Sequence, residues 1–330
     1  MNTPLIAVTG ATGFIGRALV DALAPTMRVR ALVRRNDVQA ARLARRGVEL
    51  TFGDLAEPDT AALLVRGVDV VIHCAAQMGL ANPGRSYAIN VVGTERLARA
   101  ARAAGVGRFI YVSSISVLGA TRRLQNVLTE DDEPEDTGHL NAYARTKYLG
   151  ECRLRDAAGG ELSWTVIRPT NVYGLDSGPW FRNWVRTIRR LPIAVGDVAI
   201  DVVHVDDVVQ ALCRAAAMPS GGNYVLHVGH EMVKLNRYVQ AIGNVVGWRV
   251  LRLPPRLDAV VRWVIERGYR LISGRHMSLA LSRTVRYPHV RALAVLGYAP
   301  RIRLVDGLRM MTEEFQLVTR PCTIPVAAAP

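Results

Sequence analysis

The 330-residue chain has only four cysteines, Cys74, Cys152, Cys213 and Cys322, and none stands in a CxxC or other metal-like spacing. This excludes a disulfide-stapled framework and a zinc ribbon, and reduced thiols in a reducing compartment are expected. Long apolar runs are equally scarce. None approaches the ~18 residues of a membrane-spanning helix, and the N-terminus enters "LIAVTG" with no charged leader and apolar stretch ahead of it. The expectation is a cytoplasmic protein. The histidines His73, His204, His227, His230, His276 and His289 have no ligand spacing, so no metal is expected. From Arg249 to Arg309 there is no lysine, and thirteen arginines face only Asp258, Glu266 and Asp306, a local excess of ten within a formal net charge of +14. No binding module or aromatic-basic array accompanies that charge, so a nucleic-acid partner is not expected. A solvated face, an anionic ligand or an acidic membrane surface each accounts for it.

What is present alternates between two periodicities. "LIAVTG", "RVRALVR", "VELTFGD", "VDVVIHCAA", "RFIYVSS" and "SWTVIRPT" read as strands. Between them run helical patterns over 14–24, 37–46, roughly 84–104 and 141–157, with one more between the third and fourth strands. Strands that are apolar on both faces and separated by helices predict an α/β fold, a doubly wound parallel sheet covered on two sides. Its ligands bind beyond the carboxyl ends of the strands. This pattern fills residues 1–174, and 201–228 reads as a return to the same domain. Residues 175–330 read as a smaller, mostly helical substrate domain with a frayed tail from about 320. Trp180, Phe181 and Trp184 read as helix packing, and Asp206 and Asp207 as caps of the helix that follows them.

The first strand-to-helix turn, "TGATGFIG", places Gly10, Gly13 and Gly16 in a GxxGxxG spacing, with Thr12, Phe14 and Ile15 between them. A dinucleotide needs a tight turn here, an approach free of side chains for its pyrophosphate, and a helix N-terminus to meet the phosphate charge. After the second strand, Arg34 and Arg35 stand where an NAD site offers a carboxylate, and Asp37 comes too late in the chain to serve. Guanidinium groups suit a 2′-phosphate, so NADP(H) is favoured over NAD(H).

Taken in order, "TGATGFIG", "GDL" at 53–55, "HCAA" at 73–76, "NVVGT" at 90–94, "YVSSISVLG" at 111–119, "YARTK" at 143–147, "RPTNVYG" at 168–174 and "HVDDV" at 204–208 resemble the extended short-chain dehydrogenase/reductase family across about residues 5 to 320. In character the chain is similar to its 3β-hydroxysteroid dehydrogenase and dihydroflavonol reductase members. The resemblance implies a Rossmann fold and NAD(P) chemistry. It implies that Tyr143 is the proton donor or acceptor, that Lys147 holds the nicotinamide ribose, and that Ser114, with Ser113 as its rival, hydrogen-bonds the reacting oxygen. It places Asp54 and Leu55 at the adenine, Ala75 and Ala76 on the adenosine side, Asn90 as a support, and Pro169 to Val172 along the nicotinamide. A phenol titrates near ~10, and an ammonium one helical turn away, beside a cationic nicotinamide, is expected to pull it toward working pH.

Three functions compete. A ketone/alcohol oxidoreductase acting on a fairly apolar small molecule is favoured, ahead of a nucleotide-sugar epimerase and of a non-catalytic cofactor-binding scaffold. Dehydratases of the family carry an Asp-Glu pair beside the serine, and Ile115 and Ser116 stand there instead. Epimerases often have an Asn before "VYG", as Asn171 does here. They also place an Arg ahead of "HVDD", where this chain has Val198, Ala199 and Ile200. Arg275, Arg283 or Arg286 would be needed to compensate. In "RLDAVVRWVIERGYRLISG", Leu257, Val260, Val261, Val264 and Ile265 alternate with Arg262, Arg267 and Arg270. The segment reads as a packed amphipathic helix, with a lid against anionic headgroups as the alternative. Pairing into a homodimer is the remaining partner expectation.

Overall fold

The computed structural model describes residues 3–78, 82–119, 126–132, 142–174, 179–194, 196, 198–254, 256–261, 263–264, 267 and 284–319. The expectations for Arg262, Ile265, Arg270, Arg275, His276, Arg283 and the tail from 320 lie outside the described residues, as do the side chains of Trp180, Phe181 and Trp184.

Five βα steps and a sixth strand open the chain: β1 (Leu5–Thr9), α1 (Phe14–Leu23), β2 (Arg28–Val33), α2 (Val38–Ala44), β3 (Glu49–Phe52), α3 (Thr60–Leu64), β4 (Val70–His73), α4 (Pro83–Tyr87), α5 (Thr94–Ala103), β5 (Arg108–Val112), α6 (Ala142–Ala158) and β6 (Ser163–Pro169). The long helix expected over 84–104 is three pieces, because a π-helical turn at Ala88–Gly93 separates α4 from α5. After β6 come β7 (Asn171–Tyr173), α7 (Pro179–Arg190), β8 (Ile193–Ala194), β9 (Ala199–His204), α8 (Val205–Ala216), β10 (Tyr224–Val228), β11 (Glu231–Lys234), α9 (Leu235–Val245) and β12 (Leu251–Arg252). Two helices, Val290–Leu296 and Leu304–Thr319, follow.

Seven strands form one sheet in the order β10-β6-β5-β4-β1-β2-β3, and every pairing is parallel. Parallel strands demand crossovers, and the helices of those crossovers cover both faces. The alternation along β1 shows this directly. Ile6 and Val8 pack with Leu19 and Val20 of α1 and Val208 and Leu212 of α8. Leu5 and Ala7 pack with Leu64 of α3, Leu97 of α5 and Leu154 of α6. The chain winds outward from β1 to β3 and then restarts at β4, so the crevice between β1 and β4 is the topological switch point where such sheets take their ligands.

A three-stranded sheet, β11-β9-β7, carries the second part. It packs Val202 with Ile188, Leu235, Tyr238, Leu304 and Met311. Asp206 and Asp207 do not cap α8. His204 is the cap, accepting from the Asp206 amide through Nδ1, while the buried Asp207 carboxylate accepts the amides of Arg301 and Ile302. An aspartate inside the first turn points away from its own helix's free amides, so Asp207 instead moors the C-terminal segment. Among the described residues no helix is long and apolar enough to cross a membrane.

Candidate active site

The loop between β1 and α1 is built to come close to its neighbours. Gly10 has φ +69°, and a Cβ there would lie 2.7 Å from the Ala75 amide nitrogen just after β4. A Cβ on Gly16 would collide with the Gly10 carbonyl oxygen. Both glycines are therefore required by packing across the switch point. Gly13 serves differently. It caps α1 without any side-chain hydrogen bond, leaving the first-turn amides of Phe14 and Ile15 free for an outside acceptor. Thr12 and Gly13 are exposed. The ring of Phe14 lies against Gly174, so at Phe14 it is the main chain that faces the loop. These features fit a dinucleotide pyrophosphate.

Among the residues expected to meet the adenosine, Asp54 pairs with Arg85 at 2.6 Å. Hydrogen bonds from the Ala56 amide and Arg85, with the charges of Arg85 and Arg34, outweigh desolvation and hold the Asp54 carboxyl below its usual range. Arg34 and Arg35 are exposed just beyond β2. The Asp37 carboxylate is committed to capping α2, accepting from Gln39 and Ala40 at 2.9 and 3.1 Å. Leu55 is buried and close to Gly93, where a Cβ would come within 3.1 Å of it. Ala75 is tied down by its amide's bond to Thr9 Oγ1 at 3.2 Å, while Ala76 is exposed.

The reactive end is assembled by α6 and the strand ends beside it. Lys147 is 1 % exposed, and its Nζ lies 4.2 Å from the centroid of the Tyr111 ring at the end of β5. Burial drives it down to about 7, with Cys74 after β4 and Glu151 one turn later opposing the fall. Tyr143 is half-buried overall, yet withdrawal of its phenol from water pushes it up to about 12. In the protein alone, removing both groups from water disfavours both charged forms, and the expected descent of the phenol concerns the pair together with the positive charge of the nicotinamide.

The two adjacent serines have separate duties. Ser113 is buried and donates to Glu151 Oε1 at 2.5 Å. Glu151, itself buried, is clamped by Arg168 through Nε at 3.0 Å and Nη2 at 2.7 Å. Ser114 is half-buried and caps the short 3₁₀ turn Ile115–Leu118. Its Oγ accepts from the Ser116 amide at 3.2 Å and from Ser116 Oγ at 3.0 Å. With both acceptor positions filled, the Ser114 proton is left to point at something else. The 3₁₀ turn packs onto α6 through Ile115, Val117, Leu118 and Tyr148. Asn90 braces the crevice, exchanging hydrogen bonds with the Gln77 main chain and donating to Thr146 Oγ1. Pro169 is buried at the end of β6, with Val172 half-buried in β7.

Sequence reasoning missed Ser116 and the Glu151–Arg168 clamp. The Ser-x-Ser spacing at a strand end was the readable signal for Ser116. A second signal was overlooked. Only Lys147 and Lys234 are lysines among the 42 cationic side chains, so the cation on α6 breaks an otherwise near-uniform use of arginine.

The sequence model of the NAD dependent epimerase/dehydratase family matches residues 6–229. A 2-alkyl-3-oxoalkanoate reductase from Stenotrophomonas maltophilia is 27 % identical, covering 93 % of this chain and 98 % of that protein. A UDP-glucose 4-epimerase from Mycolicibacterium smegmatis is 30 % identical over 94 % of this chain and 97 % of its own length. The solved structure of MoeE5 in complex with UDP-glucose and NAD is 28 % identical, with a TM-score of 0.73 over 95 % of this chain and 99 % of that one. The chain is an NAD(P)-dependent oxidoreductase and belongs to the NAD-dependent epimerase/dehydratase family.

Proposed function

We propose that this enzyme interconverts a ketone and a secondary alcohol on a fairly apolar small molecule, with NADP(H) as its cofactor. Two observations support the reading: Ser114, just past the end of β5, has the acceptor sites of its hydroxyl filled by Ser116, and Tyr143, on α6, has its phenol kept protonated by burial. The amides after Gly13 would hold the pyrophosphate, Asp54, Leu55, Ala75 and Ala76 the adenosine, Arg34 and Arg35 its 2′-phosphate, Lys147 the nicotinamide ribose, and Pro169 to Val172 the nicotinamide. When bound, the dinucleotide supplies the hydride for reduction and accepts it in oxidation.

The remaining work falls to this chain's own groups. Ser114 donates a hydrogen bond to the substrate oxygen as negative charge develops there. Tyr143, protonated at neutral pH, gives its proton to the same oxygen and regains one from solvent. A phenol raised above its ordinary value carries its proton at neutral pH, as donation to a forming alkoxide requires.

The turn that Ser114 opens is anchored by a buried apolar cluster of Val117, Leu118, Leu128, Val285 and Tyr287, and the support for an apolar substrate comes from the region ahead of His204. In place of a diphosphate-gripping arginine, Val198 and Ile200 join the apolar core around Leu235. Arg286 lines a cavity with Asp201, which alternates with Ile200 and so faces the opposite side of β9. The Asn171 amide, which kept an epimerase open, is spent on the Asp201 carbonyl at 2.8 Å. The named activity of the Stenotrophomonas relative agrees with a ketone substrate; that of the Mycolicibacterium relative is the competing reading.

The test is Tyr143→Phe, assayed with NADPH across a panel of alkyl and aryl ketones. Turnover is expected to fall by about two to four orders of magnitude, while NADPH binding by fluorescence stays within about twofold. A variant with wild-type turnover ends the mechanism. Conversion of UDP-glucose without net cofactor consumption would move the assignment to an epimerase.

A further inference from the structure

The span from Trp248 to Arg267 exposes apolar groups that other parts of the molecule bury. Eighteen large apolar side chains are exposed among the described residues. Six of them, Trp248, Leu251, Leu257, Val260, Trp263 and Val264, fall in this one short stretch. The last four lie on helical residues, and each is between 53 and 59 % exposed. At about 100° per residue they share roughly a third of the helix circumference. This corrects the expectation of a packed amphipathic helix: Leu257, Val260 and Val264 face solvent, and Val261 is half-buried. The helix is held to the molecule on its other side, where buried Asp258 accepts the Gly196 amide through Oδ1 at 2.7 Å.

Charge sorts the same way. Asp258 is the single acid in residues 248–264, and it is turned inward. Arg249, Arg252, Arg256 and Arg267 are exposed, and the Arg267 guanidinium lies 5.3 Å from the Trp263 ring centroid. The result is an outward face of tryptophan, aliphatic and guanidinium groups. Over residues 248–267 five arginines stand against Asp258 and Glu266, so an isologous contact with a second copy would set mostly arginine against arginine.

We propose that this face docks the enzyme on an anionic lipid bilayer. Leu257, Val260, Trp263 and Val264 enter the boundary between headgroups and acyl chains while the arginines meet lipid phosphates. Indole and guanidinium are suited to that boundary because each joins an apolar body to a polar group. The proposal is independent of the substrate reading.

It is tested by sedimenting the full-length protein with phosphatidylcholine vesicles, with and without phosphatidylglycerol, at low and high salt. Binding is expected with the anionic vesicles at low salt and is expected to weaken at high salt. The variant Leu257→Ser/Val260→Ser/Trp263→Ser keeps the charge and should partition at least about tenfold less well, with NADPH binding unchanged as the check on folding. Arg252→Glu/Arg256→Glu keeps the apolar stripe and should also lose binding. No sedimentation of the wild type at low salt overturns the proposal. So does equal sedimentation of the serine variant, which would reduce the effect to net charge. A wild-type dimer that the serine variant splits, without vesicle binding, would give the face to a second copy.

Discussion

The switch-point crevice and the 248–267 span handle charge in opposite ways. In the crevice, Lys147, Glu151 and Arg168 lie inside, enclosed by apolar strands, and each is met by a specific partner. In the span, Leu257, Val260, Trp263 and Val264 lie outside with Arg249, Arg252, Arg256 and Arg267, and Asp258 is inside. A cation surrounded by protein is tuned in its proton affinity and fixed in position. One left in water keeps its charge and contributes mainly long-range attraction. Inside the crevice, Lys147 is a cation whose proton affinity can shift, and Arg168 is one whose charge is permanent.

The largest expected effect breaks the buried side of this comparison. Glu151→Gln leaves Arg168 charged and poorly paired inside the protein, and should cost about 3–5 kcal/mol of unfolding free energy, measured in urea. In the exposed counterpart, Glu49, the loss of water on burial is outweighed by Arg30 and Arg28, which hold the carboxyl below the usual carboxylate range. Glu49→Gln should cost less than about 1 kcal/mol. Comparable losses in the two variants would erase the distinction. Next in size is Lys147→Arg. The bulkier guanidinium does not fit the enclosed place of the ammonium and would displace the ribose it is proposed to hold, so turnover should drop by about a hundredfold or more, whereas Lys234→Arg at an exposed position should leave it unchanged. Smaller again is the split between neighbouring serines. Ser114→Ala should lower turnover by about tenfold or more with little change in Tm. Ser113→Ala should destabilise by about 1–3 kcal/mol, because Glu151 loses a hydrogen-bond donor in a buried site.

The crevice was more legible in sequence than the span, for a physical reason. Gly10 and Gly16 are glycines because backbone atoms crowd them, and that constraint permits no other residue, so it leaves a clear mark. The strands were readable because both faces are buried, which produces unbroken apolar runs. Ser116 was not, since its role depends on the direction of one hydroxyl at a 3₁₀ turn. The same holds for Asp207, whose partners Arg301 and Ile302 lie more than ninety residues on. In the span, the apolar spacing of Leu257, Val260 and Val264 was visible, but spacing alone does not say which way a stripe faces. Asp258 decides that by bonding Gly196 across the chain.

The smallest predicted effect sharpens the comparison most directly. Burial lowers Lys147 to about 7 from an ordinary 10.5, so between those values the unfolded chain holds a proton that the folded one has released. Stability linked to this group therefore rises as pH increases through that window, and the penalty for burying its charge is fully present below the folded value. The slope of unfolding free energy against pH, measured between about pH 7.5 and 9.5, should be steeper by about one proton in the wild type than in Lys147→Met. Because Lys147 and Lys234 are the sole lysines, carbon-13 labelling of lysine gives a two-signal spectrum in which the buried side chain should titrate near 7. Equal slopes in the two proteins, or a Lys147 signal that stays unchanged from pH 6 to 9, would mean that the crevice leaves its lysine as ordinary as a surface cation.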